Sequence, residues 1–303
     1  MAVELRRVQE QVTDLGLGWQ PGDTVHTDLS LMRIRSRTGA VPPAGHRTMG
    51  ERQSAAAAAH RQASAATAPK LPSKIDWRDH NGNFVSPVRD QQFCGSCVAF
   101  GTAAVLESMI MIKAGVPKLP IDLSEAQLYF CYGPDHGAIA CPDGGWWPDD
   151  SFACLKRGVV DEACFPYTDD DQPCKLGSDA AARLSTASSF VVLESATAMK
   201  RHLATVGPLA ACFTVYEDFA YYYTGGVYRY HEKTSGEYVS GHCVCIVGYD
   251  DAKKCWIAKN SWGKGWGEKG YGWLPYDYVT EGLADDWWVL IDSEWVDTGE
   301  FET

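Results

Sequence analysis

Gln91-Gln92-Phe93-Cys94-Gly95-Ser96-Cys97-Val98-Ala99-Phe100 is the stretch on which the fold turns. Beyond it Val105, Leu106, Met109 and Ile110 join Val98 in a broad apolar face that Gly115 ends, so the pattern predicts a loop entering a helix at Cys97 and running to Lys113. A thiol at a helix N-terminus sits in the positive end of the macrodipole, which favours the thiolate, the nucleophilic form. Two other readings of Cys94-x-x-Cys97 stand beside this one. A redox couple would need an early strand–helix–strand unit, which the pattern lacks. Half a zinc site would need a second Cys-x-x-Cys, and the chain has none.

Two downstream stretches bear on the same chemistry. Ser240-Gly241-His242-Cys243-Val244-Cys245-Ile246-Val247-Gly248-Tyr249 begins an apolar strand with a histidine. Alone, such a histidine reads as a core residue; with a thiolate upstream it becomes the natural acid and base. Trp256-Ile257-Ala258-Lys259-Asn260-Ser261-Trp262-Gly263-Lys264-Gly265-Trp266-Gly267 reads either as a packing turn or as the support of that histidine. In the second reading the Asn260 side-chain oxygen accepts from the imidazole, which fixes its orientation and tautomer, and Trp262 shields the bond from water.

Around these stretches the chain has two textures. Val3, Leu5, Val8, Val12 and Leu15 recur at helical spacing before Gly16. A second helix is expected over Leu29–Arg37, with Asp28 or Ser30 as N-cap and Gly39 as C-cap. Ser54–Pro69 is almost all Ala, Ser, Gln and Thr, too poor in apolar bulk for a core, and reads as a linker open to cleavage. From Leu71 onward aromatics, Gly and Cys become frequent. Ser124–Phe130 and Trp147–Lys156 are further helix candidates. After about residue 185 short apolar runs follow: Phe190–Leu193, Ala210–Val215, Val227–Tyr230, His242–Val247 and Trp256–Lys259. Helices first and strands later predict an α+β fold of two packed halves with a cleft between them.

Bulk properties narrow the function classes. The chain has 303 residues, 45% hydrophobic and 22% charged, enough for a sizeable core and a wet surface. No run approaches 18 consecutive apolar residues, so no membrane span is expected. The net charge of −12 speaks against nucleic acid as a partner. Residues 1–70 hold nine Lys/Arg and six Asp/Glu, while the remainder holds 18 and 33. A basic leader would be attracted to an acidic body. Eleven cysteines are many for a cytosolic enzyme, yet residues 1–10 show no apolar signal stretch, so composition and N-terminus point to opposite compartments.

Taken together, the three stretches resemble the papain-like cysteine peptidases, over about residues 72–271 and in the family's order. The resemblance implies a bacterial-type member with a short leader, folded as a helical half (about 90–180) and an antiparallel β-barrel half (about 185–275). A C-terminal extension (276–303) is expected to pack back on the body, where it could lengthen the helical half. It implies Cys97 as nucleophile, His242 as acid/base and Asn260 as its support, with Gln91 and the Cys97 N–H forming the oxyanion hole. Gly144 and Gly145 match the strand that pairs with substrate, followed by a pocket aromatic at Trp146 or Trp147. Trp262 is expected beside the histidine, and Gly241, Cys212 and Cys243 near a pocket for bulky apolar P2 side chains. Disulfides Cys94–Cys141 and Cys131–Cys174 follow from the resemblance. A third, Cys154–Cys164, is expected although the family pattern does not fix it. Val98 stands where many members have Trp, a change that removes no catalytic atom.

The expected activity is that of a cysteine endopeptidase made as a zymogen and acting as a monomer on peptides or proteins, without metal or cofactor. Residues 1–70 would serve as intramolecular inhibitor, and the disulfides favour an extracytoplasmic site. A transpeptidase or dedicated processing enzyme would share the acyl-enzyme. A silent binding protein on this fold is the third reading, disfavoured by the intact Gln91, Cys97, His242 and Asn260.

Overall fold

A computed structural model describes residues 4–42, 44–45, 70–137, 140–141, 144–193, 195–278 and 286–289, the last four by their backbone. The linker expected over Ser54–Pro69 lies outside the described residues.

The N-terminal segment folds much as its periodicity requires. Helix α1 (Leu5–Asp14) buries Val8 and Val12 and gives way to Gly16 at φ +62°, a conformation that glycine adopts without strain. The short strand β1 (Gln20–Pro21) follows. Helix α2 (Leu31–Arg35) is shorter than the sequence suggested. Ser30, not Asp28, caps it, its hydroxyl accepting from the Arg33 N–H. Ser36 rather than Gly39 closes it, which leaves residues 37–41 extended.

The body begins with strand β2 (Lys74–Asp76) and the central helix α3 (Cys97–Ala114). Gly115, in the left-handed conformation, ends α3 as expected. By length and composition α3 could cross a membrane, but 78% of it is buried within the protein, as befits a core helix apolar on every side. The helix candidate at Ser124 becomes mostly a π-helix over Gln127–Tyr132, with the Ser124 hydroxyl accepting from the Gln127 N–H at 3.0 Å. The next one is helix α4 (Pro148–Cys154), continued by a 3₁₀ turn over Leu155–Arg157.

Strands then dominate: β3 (Val191–Val192), β4 (Leu209–Tyr216), β5 (Tyr223–Gly225), β6 (Tyr238–Asp250), β7 (Cys255–Lys259), β8 (Tyr271–Pro275) and β9 (Asp286–Val289). Helices α5 (Ala196–Thr205) and α6 (Glu217–Tyr222) interrupt them. Val227–Tyr230 forms no strand and contributes an isolated bridge from Val227 to Trp273. The large sheet runs β3-β9-β4-β6-β7-β8, with β2 paired to the far end of β6, antiparallel throughout.

Two expectations are corrected here. Among the described residues the edge strands β3 and β8 do not pair, so the sheet is open and is not a closed barrel. Of the C-terminal extension, the described strand β9 packs on the body as expected, but it does so by entering the sheet between β3 and β4 and not by adding to the helical half. Mixed α+β architecture with two packed halves stands. One continuous core joins α3 to the sheet, closed by fully buried Trp256, Trp262, Trp266 and Tyr249. Gly101 allows the close approach: a Cβ there would stand 2.9 Å from the Cys243 sulfur on β6.

Candidate active site

Cys97 is the first residue of α3 and is fully buried. Ser96 precedes it without capping the helix, because its hydroxyl is bonded instead to the Tyr167 hydroxyl at 2.7 Å. The first-turn N–H groups therefore remain free to act on the sulfur. Burial pushes the Cys97 thiol far up, neighbouring Cys243 adds to this, and the backbone N–H groups of Cys243, Val98 and Gly39 pull it down.

His242 lies on β6, opposite Phe213 of β4. Its Nε2 is 2.7 Å from Asn260 Oδ1, at the end of β7. Asn260 Oδ1 also accepts from the Ser261 N–H at 2.8 Å, so the amide oxygen is held in place and Nε2–H is the donor that fits it. The Trp262 ring stacks on the imidazole with centroids 4.5 Å apart. Burial lowers the His242 pKa from 6.5 to about 3; Asn260 opposes this and the Arg37 charge adds to it. Nδ1 is buried and has no hydrogen-bond partner among the described residues. Burial thus disfavours the charged form of both the thiol and the imidazole, and the second ring nitrogen is left without a partner among the described residues.

The remaining predicted residues fall around this pair. Gln91 is fully buried, donating Nε2–H to the Cys94 carbonyl at 2.8 Å and accepting from Ser261 Oγ at 2.6 Å. One amide N–H of Gln91 is committed and its plane is fixed. Gly144 approaches Gly95 so closely that a Cβ at Gly95 would stand 1.8 Å from the Gly144 oxygen. Trp146 offers its backbone to the cleft, whereas Trp147 is the N-cap of α4. Cys212 and Cys243 face each other across β4 and β6, both buried, with the Cys243 sulfur turned against Gly101.

Disulfides join Cys94 to Cys141 and Cys131 to Cys174. The expected Cys154–Cys164 bridge is absent, because both are free thiols. Cys154 instead points at His136 Nε2, 3.5 Å away, whose Nδ1 lies 3.1 Å from Asp150.

An inhibitory leader was expected, but which of its residues fill the cleft was not legible. Residues 37–41 run through it as an extended strap. The Arg37 carbonyl accepts from Trp262 Nε1–H at 2.8 Å. Gly39 and Ala40 N–H groups donate to the Gly241 carbonyl at 3.1 and 3.2 Å. Trp146 N–H donates to the Gly39 carbonyl at 3.0 Å, and Val41 N–H to the Trp146 carbonyl at 3.2 Å, as a parallel bridge. A Cβ on Gly39 would stand 2.0 Å from the Gly95 oxygen, so no other residue fits without displacing backbone. The only signal for this strap was Gly39 itself, which a helix C-cap explained equally well.

His26 was also missed. It is 1% exposed, with Nδ1 2.9 Å from the Ala220 carbonyl and its ring edge on Trp262 at 5.2 Å. Its Nε2 has no partner among the described residues. Burial lowers its pKa from 6.5 to about 3, with Arg37 and His242 adding to the effect and the Ala220 carbonyl opposing it.

Comparison with known proteins identifies the family. Residues 71–286 match the family described as papain family cysteine protease. Cysteine proteinase 2 of Entamoeba histolytica is 34% identical over 226 residues, covering 72% of this chain and 68% of that protein. Cathepsin B-like CP2 of Giardia intestinalis is 36% identical over 214 residues, covering 66% and 68%. The solved structure of digestive procathepsin L2 proteinase from Tenebrio molitor larval midgut superposes with a TM-score of 0.71 at 27% identity, covering 93% of this chain and 87% of that one. The chain belongs to the papain family of cysteine proteases, and is a cysteine-type peptidase.

Proposed function

We propose that this chain is an endopeptidase zymogen: Cys97, His242 and Asn260 carry the reaction, and the segment before about residue 70 keeps them shut. The observation that carries this reading is what the strap offers to the sulfur. The Gly39 N–H, which donates to the Gly241 carbonyl at 3.1 Å, also bears on the Cys97 sulfur, while the Gly39 carbonyl accepts from the Trp146 N–H. A nucleophile needs a carbonyl carbon, so the strap occupies the cleft without being a substrate for it. Digestive procathepsin L2, by its name a proenzyme, shares the fold over nearly the whole chain, which supports the same reading.

With the strap gone, His242 Nδ1 takes the Cys97 proton, and Asn260 holds the resulting imidazolium. The thiolate attacks the substrate carbonyl. The oxyanion is met by the Cys97 N–H and the second Gln91 Nε2–H, each such donor typically being worth ~10²–10³ in rate. The imidazolium protonates the leaving amine, and a water activated by the same histidine releases the acyl group. The Trp146 backbone, which holds the strap now, and Gly145, which packs against Gly39 and Val41, would with Gly144 hold the acyl side of the substrate. Gly241, Cys212 and Cys243 are small and favour a bulky apolar P2 residue. The two disulfides favour an oxidising, extracytoplasmic setting.

The test is turnover of an internally quenched peptide library by the full chain before and after cleavage within residues 46–69. Activity rising on cleavage, absent in Cys97→Ala and best with apolar P2, supports the reading. Equal turnover before and after removes the zymogen. Best turnover with P2 Arg or Asp removes the pocket. Products carrying an added amine would identify a transpeptidase.

A further inference from the structure

The strap reports on more than inhibition, because one of its side chains already occupies the end of the cleft beyond Trp262. The Arg37 side chain is only 5% exposed. Its guanidinium lies 2.5 Å from Asp90 Oδ1 and 5.4 Å from the Phe93 ring centroid. Burial disfavours its charge, and the carboxylates of Asp90 and Asp169 oppose that. Arg37 Nε is buried and has no hydrogen-bond partner among the described residues, so the fit is to a cation and not to every atom of this arginine. A second leader arginine, Arg33, lies over the other part of Phe93 at 4.6 Å. Beside it a groove of about 630 Å³ is lined by Phe93, Cys141, Asp169, Asp170 and Asp171 on the body side.

The body half of this subsite is built without the leader. Asp90 Oδ1 accepts at 2.9 Å from the N–H of Gln92, which is itself held at φ +53°. The other carboxylate oxygen lies against Gly263, where a Cβ would stand 2.8 Å away. The Phe93 N–H is 3.4 Å from Asp169 Oδ2. Asp90 is 44% exposed even with Arg37 in place, so leader departure leaves a fixed, accessible carboxylate beside an aromatic face.

Its place relative to the reacting atoms follows from the strap. Ala40 and Val41 lie at Gly241 and Trp146, on the proposed acyl side, and Gly39 lies at the sulfur. Arg37 is on the opposite side, under Trp262 and next to Gln91, where the leaving amine and the residues after the scissile bond must lie. We propose that Asp90, with Phe93 and Asp169, forms a specificity subsite for a basic side chain on the leaving-group side of the peptide substrate. This rests on the peptidase reading and deepens it. The leader copies the substrate's charge there while denying the nucleophile a carbonyl.

The test uses the full-length chain cleaved within residues 46–69 and internally quenched peptides identical except for Arg, Leu or Glu at each of the two positions after the scissile bond. At one of those positions kcat/KM for Arg should exceed that for Glu by roughly tenfold or more, and the ratio should shrink as salt rises. In Asp90→Asn the Arg-to-Glu ratio should fall towards one, with Asp169→Asn giving a smaller fall. Turnover with equal use of Arg and Glu, or a preference unchanged in Asp90→Asn, overturns the subsite and confines Asp90 to holding the leader. Absence of turnover together with an unlabelled Cys97 overturns the peptidase reading and the subsite with it.

Discussion

Residues 37–41 and residues 5–35 belong to one leader yet are held in opposite ways. The strap is held by backbone hydrogen bonds to Gly241 and Trp146 and by the absence of a side chain at Gly39. Apart from Arg37 it carries nothing that titrates. The anchor is held by side chains: Val8 and Val12 of α1, Trp19 against Tyr228 and Tyr223, and His26 against Trp262. It also adds β1 to the edge of β5. Occlusion is therefore steric and local, whereas the grip that sustains it lies elsewhere and contains a group that answers to pH.

The comparison is broken most severely at the strap. Gly39→Val places side-chain carbon within bonding range of the Gly95 oxygen. Overpacking of this kind costs about 3 kcal/mol or more, so Cys97 labelling by a thiol-directed epoxide in the intact chain should rise on the order of 10²-fold. Trp19→Ala acts on the anchor. Trp19 is 3% exposed and should behave as a docking hot spot worth about 2 kcal/mol, raising the labelling rate roughly 30-fold without altering the cleft.

His26→Phe separates the two grips by pH. A histidine lowered from 6.5 to about 3 when docked binds its proton only on release. Stabilisation from neutral His26 is present above pH 6.5 and is lost as pH falls from there towards 3, about tenfold per pH unit for one proton. His242 shifts in the same direction and contributes its own proton in both proteins. The ratio of variant to wild-type labelling should thus fall about tenfold per unit between pH 6 and 4; a flat ratio would assign the acid response elsewhere. Ser30→Ala removes the α2 cap, costing about 0.5–1 kcal/mol, and should change labelling only a few-fold.

What could be read from the sequence follows the same division. Helices α1 and α3 were legible because their signals are local: an apolar period, a glycine stop, and a thiol at the helix start. Asn260 and His242 were legible only as a set, since each alone fits a packing role. The open sheet and β9 were not legible, because Asp286–Val289 finds its partners 70 to 100 residues upstream and nothing in its own composition names them. Cys154 illustrates another limit. A bridge to Cys164 was expected without support from the family pattern, and α4 aims the thiol at His136 instead. The strap was hidden because its decisive property, no side chain at Gly39, takes meaning only from Gly95 and Gly241 across the cleft.

In the proposed zymogen, residues 37–41 hold a competent nucleophile out of use. The direct measurement is the rate of Cys97 labelling by the epoxide, at neutral pH, in the intact chain and in the Gly39→Val chain. Slow labelling of the intact chain, fast stoichiometric labelling of Gly39→Val, and none in either once Cys97 is replaced by Ala are the expected results. Intact chain labelling as fast as Gly39→Val would contradict the zymogen proposal.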